Sequence, residues 1–255
     1  MISITVITCT YNASSTIERT LHSVLSQDYD RVEHLIVDGK SKDNTCEIIE
    51  RYIEESNAMN NGHSIHFISE PDKGLYDAMN KALLMAKGDY LVFINAGDTF
   101  PSSQTLQQVA ASVGEDELLP GVIYGDTDIV DENGNFLRHR HHSAPEKLSW
   151  KSFKNGMLVC HQAFYALTSL ARAIPYNIIY RYSADVDWCI RVMKEATSEG
   201  RPLRNTHQVV AHFLDGGMTT EYHRASLKER FKVMCQHYGL ITTIFQHIKF
   251  AIRKI

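Results

Sequence analysis

The stretch Tyr90 to Asp98, Y-L-V-F-I-N-A-G-D, ends an apolar run in a small turn that leaves one carboxylate, Asp98. Three other acids, Asp38, Glu70 and Asp72, likewise follow short apolar runs. In open α/β sheets ligands bind just outside the carboxyl ends of strands, so an acid there is a candidate metal or phosphate-side ligand. The plainer alternative is a turn-capping aspartate. Four carboxylates converging without partners would repel one another, so they imply a cation, cationic side chains or donors on a ligand. Asp185 and Asp187, in S-A-D-V-D-W, open a helix. Acids in a first turn favourably meet the helix dipole, which is their plain account. His139, Arg140, His141 and His142 read as a solvated loop, because their spacing fits no tetrahedral metal pattern.

Positioning these acids requires β-α units. Ile2 to Thr8 is a β-branched strand broken at Thr10-Tyr11-Asn12, and Ser15 with Glu18 makes a capping box for a helix carrying Ile17, Leu21, Val24 and Leu25. Leu35 to Val37 is a second buried strand ending at Asp38-Gly39, before a helix with Ile48, Ile49, Tyr52 and Ile53. Ile65 to Ile68 is a third, followed by S-E-P-D-K-G and a helix that Gly88 stops. Leu91 to Ile94, unbroken and apolar, suits a central strand covered on both faces. Parallel strands joined by right-handed crossovers, with helices on both faces, follow from this order.

Past Asp98 the alternation fades. Leu106 to Val113 reads as a helix, Val122 to Val130 as one or two strands, and Glu132-Asn133-Gly134 as a hairpin turn. Gln208 to Phe213 is strand-like, and Leu227, Phe231, Met234, Cys235 and Tyr238 share a helical face. The apolar tail from Leu240, with Lys249, Arg253 and Lys254, is expected to pack on the domain; the alternative is an anionic membrane surface.

The 255 residues suit one large domain, and a net charge of -4 argues against a nucleic-acid binder. Five scattered cysteines without a C-x-x-C pair point to reduced thiols and a cytoplasmic home. No basic leader follows Met1 and no apolar run reaches membrane-spanning length, which argues against secretion and membrane crossing. Without G-x-G-x-x-G after the first strand and without G-x-x-x-x-G-K-[ST] anywhere, dinucleotide and P-loop readings lose their main support.

V-I-T-C-T-Y-N at Val6, I-V-D-G-K-S-K-D-N-T at Ile36, S-E-P-D-K-G-L-Y-D-A-M-N-K-A at Ser69 and A-K-G-D-Y-L-V-F-I-N-A-G-D at Ala86 occur in that order. C-H-Q-A-F at Cys160, S-A-D-V-D-W at Ser183 and the Gly-Gly-Met-Thr loop at Gly216 follow. Together these resemble the family 2 glycosyltransferases of GT-A fold, of the type found in bacterial surface-polysaccharide assembly. The resemblance implies a Rossmann-like, mostly parallel central sheet flanked by helices, a less regular acceptor-binding half and a C-terminal helical tail. It divides the chain into a nucleotide-sugar half (1–98), an acceptor-binding and catalytic half of the same domain (99–220) and a tail (221–255).

It also implies inverting transfer of a sugar from a nucleotide diphosphate donor, UDP-type, to an acceptor hydroxyl on a glycan or lipid-linked saccharide. Asp185 is then the base, with Asp187 the second candidate. Thr10, Tyr11, Asn12, Asp38, Gly39, Asp72, Lys73, Asn95, Ala96 and Gly97 fall at donor-binding positions. Asp98 resembles the last acid of the D-x-D motif, holding Mg2+ or Mn2+; here Ala96 and Gly97 stand where relatives carry acids. His161, Gln162 and His212 are candidate diphosphate or acceptor contacts, although a lone histidine in an apolar segment is commonly core. The cysteines and the tail, read on their own, point to a cytoplasmic location, with peripheral contact at the inner face of the plasma membrane as the alternative to a tail packed on the domain. Two other readings remain at this point: a nucleotidyltransferase, which lacks its glycine-rich basic loop here, and a nucleotide-sugar-binding partner subunit without catalysis.

Overall fold

The computed structural model describes residues 1–216 and 222–252. Gly217, Met218 and Thr219 of the glycine loop, and Arg253 and Lys254 of the tail, lie outside them.

The amino half alternates strand and helix: β1 (Ile4–Thr10), α1 (Ile17–Leu25), β2 (Val32–Asp38), α2 (Thr45–Met59), β3 (Ser64–Ser69), α3 (Leu75–Met85) and β4 (Tyr90–Phe93). All of β1, β2 and β4 is buried, which is why their sequences run apolar instead of alternating. Period two still sorts their side chains. Ile36 joins Ile17, Leu21, Ile49 and Tyr52 from α1 and α2 on one face, whereas Leu35 and Val37 join Met79, Ala82 and Leu83 of α3 on the other.

The remaining elements are α4 (Thr105–Ala111), β5 (Val122–Val130), β6 (Phe136–His139), β7 (Phe164–Leu167), α5 (Thr168–Ala173), α6 (Ala184–Ser198), β8 (Leu203–Leu214) and helices His223–Tyr238 and Leu240–Ile252. The strands form one sheet in the order β3-β2-β1-β4-β7-β5-β6, with β8 on β5. Strands β3, β2, β1 and β4 are mutually parallel; β7 is antiparallel to both β4 and β5. The expected α/β architecture is therefore present, and the chain changes sheet direction beside β4.

An aromatic cluster holds α6 on this reversal. Trp188, fully buried, stacks on Tyr176 at 4.8 Å and meets Phe93 and Phe164 edge-on, and its Nε1 donates to Ile174 O at 2.8 Å. Truncating such a side chain to alanine costs about 3 to 5 kcal/mol.

Three local expectations are corrected. Helix α1 begins after Thr16 with no side-chain cap, so the Ser15–Glu18 box does not form. Instead Ala13 N and Ser14 N are satisfied across the sheet by Thr45 Oγ1 (2.9 Å) and Asp43 Oδ2 (3.0 Å). Helix α3 ends at Met85, before Gly88, whose role is close approach: a Cβ there would lie 2.7 Å from Thr5 N. Leu227 is 43 % exposed, and the penultimate helix buries Ser226, Val233 and Met234.

Candidate active site

The β1–α1 and β2–α2 loops are stitched into one cradle. Asn12, at φ 49°, accepts Lys42 N on Oδ1 (2.8 Å), while its own N–H donates to Ser41 Oγ (2.8 Å). Tyr11 is 58 % exposed above this junction. A Cβ built on Gly39 would sit 2.5 Å from Asp72 Oδ2 and 3.3 Å from Tyr11 Cδ2, so a side chain there would push the Asp72 carboxylate away from this junction. Thr10 is buried, yet its Oγ1 has no hydrogen-bond partner. That leaves the hydroxyl available to a polar group arriving at the end of β1. Lys73 is exposed beside Asp72, at the glycine-led start of α3.

The strand-end acids do not form a shared unpartnered cluster. Asp38, fully buried, accepts Ser41 N (2.9 Å), Ser69 Oγ (2.6 Å), Cys46 Sγ (3.4 Å) and Ser41 Oγ. Burial works to raise its carboxyl, but these donors hold it below the ordinary range. Its geometry is that of a loop organiser. Glu70 pairs with Lys81 Nζ at 2.7 Å.

The turn after β4 is held from three sides. Thr20 Oγ1 donates to Asp98 O (2.7 Å) and accepts Gly97 N (2.9 Å). The Thr99 and His212 backbones exchange hydrogen bonds of 3.0 and 2.8 Å, tying β8 to the turn; that backbone pairing is the structural part His212 plays. Gly97 has φ +101°, and a Cβ there would lie 2.7 Å from Leu214 Cδ2, so the turn has no room for a second acid at that position. Ala96 packs toward α1 and α2.

Asp98 itself is 4 % exposed and accepts Gln162 Nε2 (2.9 Å) on Oδ2 and Leu214 N (3.0 Å) on Oδ1. Burial pushes its carboxyl up to about 6. Among the described residues no group of three or more His, Cys, Asp or Glu could hold a metal ion. A cation bound by protein alone therefore does not fit. One completed by phosphate oxygens and water does, because each Asp98 oxygen keeps a free lone pair and Asn95 Oδ1, buried in the same turn, lacks a donor.

Asp185 opens α6, from the other side of the reversal. Its Oδ1 accepts Tyr76 Oη (3.1 Å) and its Oδ2 faces His161 Nδ1 (3.4 Å). Asn95 Nδ2 lies 3.1 Å from His161 Nε2; with the amide donating, Nε2 accepts and Nδ1–H is left for Asp185. Burial works to raise the Asp185 carboxyl, but the His161 ring and the Arg230 charge hold it below the usual range. Consecutive residues of one 3-10 turn, His161–Ala163, thus reach two acids from distant parts of the chain: His161 touches Asp185 and Gln162 touches Asp98.

Asp187 does not join them. Two residues along a helix rotate the side chain by about 200°, and Asp187, 1 % exposed, is taken up by Arg191 Nε (2.8 Å) and His237 Nε2 (2.7 Å). With both oxygens engaged, one by the Arg191 guanidinium and one by the His237 ring, Asp187 ties α6 to the penultimate helix and faces away from Asp185.

Sequence reasoning passed over Tyr76, Thr20 and Glu229. Tyr76 carried one available signal, its place just after the S-E-P-D-K-G turn at the start of α3. Glu229 accepts the N–H groups of Arg181 (3.0 Å), Tyr182 (2.7 Å) and Ser183 (3.1 Å), capping α6 where no residue of that helix does so. No local pattern announces a cap 46 residues away.

The family model described as Glycosyl transferase family 2 matches residues 5–185. A PGL/p-HBAD biosynthesis glycosyltransferase of Mycobacterium bovis (strain BCG / Pasteur 1173P2) is 32 % identical over 209 residues, 82 % of this chain and 75 % of that one. The putative teichuronic acid biosynthesis glycosyltransferase TuaG of Bacillus subtilis (strain 168) is 30 % identical over 158 residues, 62 % of this chain and 59 % of that one. Among solved structures, S. aureus TarS 1-349 superposes with TM-score 0.69 at 17 % identity, covering 97 % of this chain and 72 % of that one. The mannosyltransferase PcManGT from Pyrobaculum calidifontis, in complex with GDP-Man and Mn2+, gives 0.62 at 18 %, covering 98 % and 75 %. At these identities the structural likeness speaks of fold.

Proposed function

The chain belongs to glycosyl transferase family 2, and from that premise we propose that it moves a sugar, with inversion, from a UDP-type nucleotide sugar to a hydroxyl of a glycan or lipid-linked saccharide in surface-polysaccharide assembly. The observation that carries this reading is the single turn whose neighbouring side chains hold Asp185 and Asp98.

The nucleotide lies on the Tyr11 ring beside Gly39 and Asp72, with the unpartnered Thr10 hydroxyl and the Lys73 charge toward its polar groups. Asp98 and the diphosphate oxygens would hold Mg2+ or Mn2+, which when bound neutralises leaving-group charge without a proton. PcManGT, whose structure holds GDP-Man and Mn2+, supports a nucleotide sugar and a divalent cation as the chemical classes. Asp185, kept ionised at neutral pH, accepts the proton of the attacking hydroxyl, while Tyr76 and His161 fix its direction. A single displacement needs one base and no protein nucleophile, which agrees with Asp187 being occupied elsewhere. Five free cysteines support a reducing, cytoplasmic setting.

A thermal-shift panel of nucleotide diphosphates and their sugars, with and without Mn2+, tests the donor. The matching ligand raises stability by about 2.7 kcal/mol at a hundredfold excess over its dissociation constant. Absence of any nucleotide-dependent shift overturns the reading. The lone carboxylate of the β4 turn favours one rival, a non-catalytic binding subunit, which would bind donor but release no nucleotide from it when given acceptor.

A further inference from the structure

The last helix, Leu240–Ile252, is inside out. A surface helix ordinarily buries its apolar stripe and shows its polar face to water. Here Thr243 is fully buried and Gln246 is 8 % exposed, whereas Ile241 (73 %), Phe245 (63 %), Ile248 (50 %) and Ile252 (66 %) face solvent. Their spacing of four, three and four residues makes one continuous stripe, widened by Leu240 and Ile244. The polar side is the docked side: Thr243 and Gln246 are buried, the Thr243 hydroxyl being satisfied within its own turn by Gly239 O (2.8 Å), and the His247 ring meets Phe231 of the preceding helix edge-on at 5.0 Å. The tail does pack on the domain, but through the face that sequence reasoning would have turned outward.

Charge selects the occupant of the stripe. From Leu240 onward the chain carries Lys249, Arg253 and Lys254 and no acid, a net +3 in a protein whose total is -4. A second copy seated on the same face would bring two such segments together, like charge on like. An anionic bilayer complements both features, taking the apolar stripe at the acyl boundary and the basic end at its headgroups. We propose that Leu240–Ile252 is an interfacial anchor that lies in the plane of an anionic membrane surface. No described helix is long and apolar enough to cross a membrane, so the attachment is peripheral. The proposal is independent of the transferase reading, and its test reads binding only.

The full chain is mixed with phosphatidylcholine vesicles, alone or with phosphatidylserine at about a third of the lipid, and bound protein is measured by flotation. Binding to the anionic vesicles is expected to exceed binding to neutral ones at least tenfold, and to fall as salt rises toward about 0.5 M. The double variant Phe245→Asp, Ile248→Asp is expected to lose this binding while keeping the wild-type melting midpoint, since both side chains already face water. Equal binding by variant and wild type, or no binding by either, overturns the proposal. So does a concentration-dependent dimer, seen by light scattering, that the same variant abolishes, because a second copy would then be the occupant.

Discussion

The turn after β4 and the opening of α6 each remove a carboxylate from water, with opposite results. Asp98 and Asp187 are 4 % and 1 % exposed. Asp187 meets the Arg191 guanidinium and the His237 ring, and is drawn below the ordinary range although burial works to raise it. Asp98 accepts from the Gln162 amide and Leu214 N–H and has no ion pair among the described residues, and burial carries it up to about 6. Burial alone therefore does not identify a reactive acid. A carboxylate matched by the protein's own cations is part of the scaffold, whereas an unmatched one retains its attraction for a cation from outside. Asp185 stands between these cases, half-buried and directed by a hydroxyl and an imidazole.

The largest expected effect separates the two acids of α6. Asp185→Asn should lower sugar transfer by about a hundredfold to ten-thousandfold, the usual worth of a general base, with donor affinity within about twofold of wild type. Nucleotide release and calorimetric titration with UDP measure the two quantities. Full transfer by this variant removes Asp185 as the base. Asp187→Ala should do the reverse, destabilising the fold by roughly 3 kcal/mol because His237 and Arg191 lose their buried partner. Urea unfolding reads that loss. Since the folded carboxyl lies below its unfolded value of about 4, its contribution is present above that pH and disappears as pH falls through the folded value. The gap between variant and wild type should therefore close in acid. A stable Asp187→Ala protein without transfer activity would invert the assignment.

Strands β1, β2 and β4 were legible because parallel strands buried on both faces carry apolar runs, and the edge strand β3 from its place in the strand-helix order; the strand ends turn on small and acidic residues. Asp98 and Asp185 were legible from such ends and from motif order. What held them was not. Gln162 and His161 act through a 3-10 turn without periodicity, and Glu229 and His237 reach α6 from more than 40 residues away. Strand β8 read as Gln208 to Phe213 but begins at Leu203, because its register shifts and His207 at φ 58° break the alternation. In the last helix the apolar stripe would be read from sequence as the buried side; only in three dimensions do Thr243 and Gln246 prove to be the side that packs.

A smaller effect sharpens the contrast at Asp98. With its carboxyl raised to about 6, protons compete with a cation for the same oxygens well within the workable pH range. The Mn2+-dependent part of donor affinity should be flat above that pH and fall about tenfold per unit below it, one proton being displaced for each ion bound. Titrations with UDP at several pH values, with and without Mn2+, follow it. Asp98→Ala should remove the metal-dependent part at every pH, and a variant that keeps it would place the cation elsewhere.

The smallest effect tests the link between the two acids. His161 supplies the leading pull that lowers the Asp185 carboxyl, so His161→Ala leaves burial less opposed and the folded value rises. A base must be ionised to act, and the acidic limb of the kcat/KM profile should therefore move to higher pH. Activity well above that limb should stay within about tenfold of wild type, because Tyr76 still directs Oδ1. If His161 only packed against Phe93, its removal would scale the whole profile down and leave the limb where it was. A displaced limb with a preserved plateau assigns the imidazole to tuning the base, and the direction of that displacement is fixed by which charge state His161 favours.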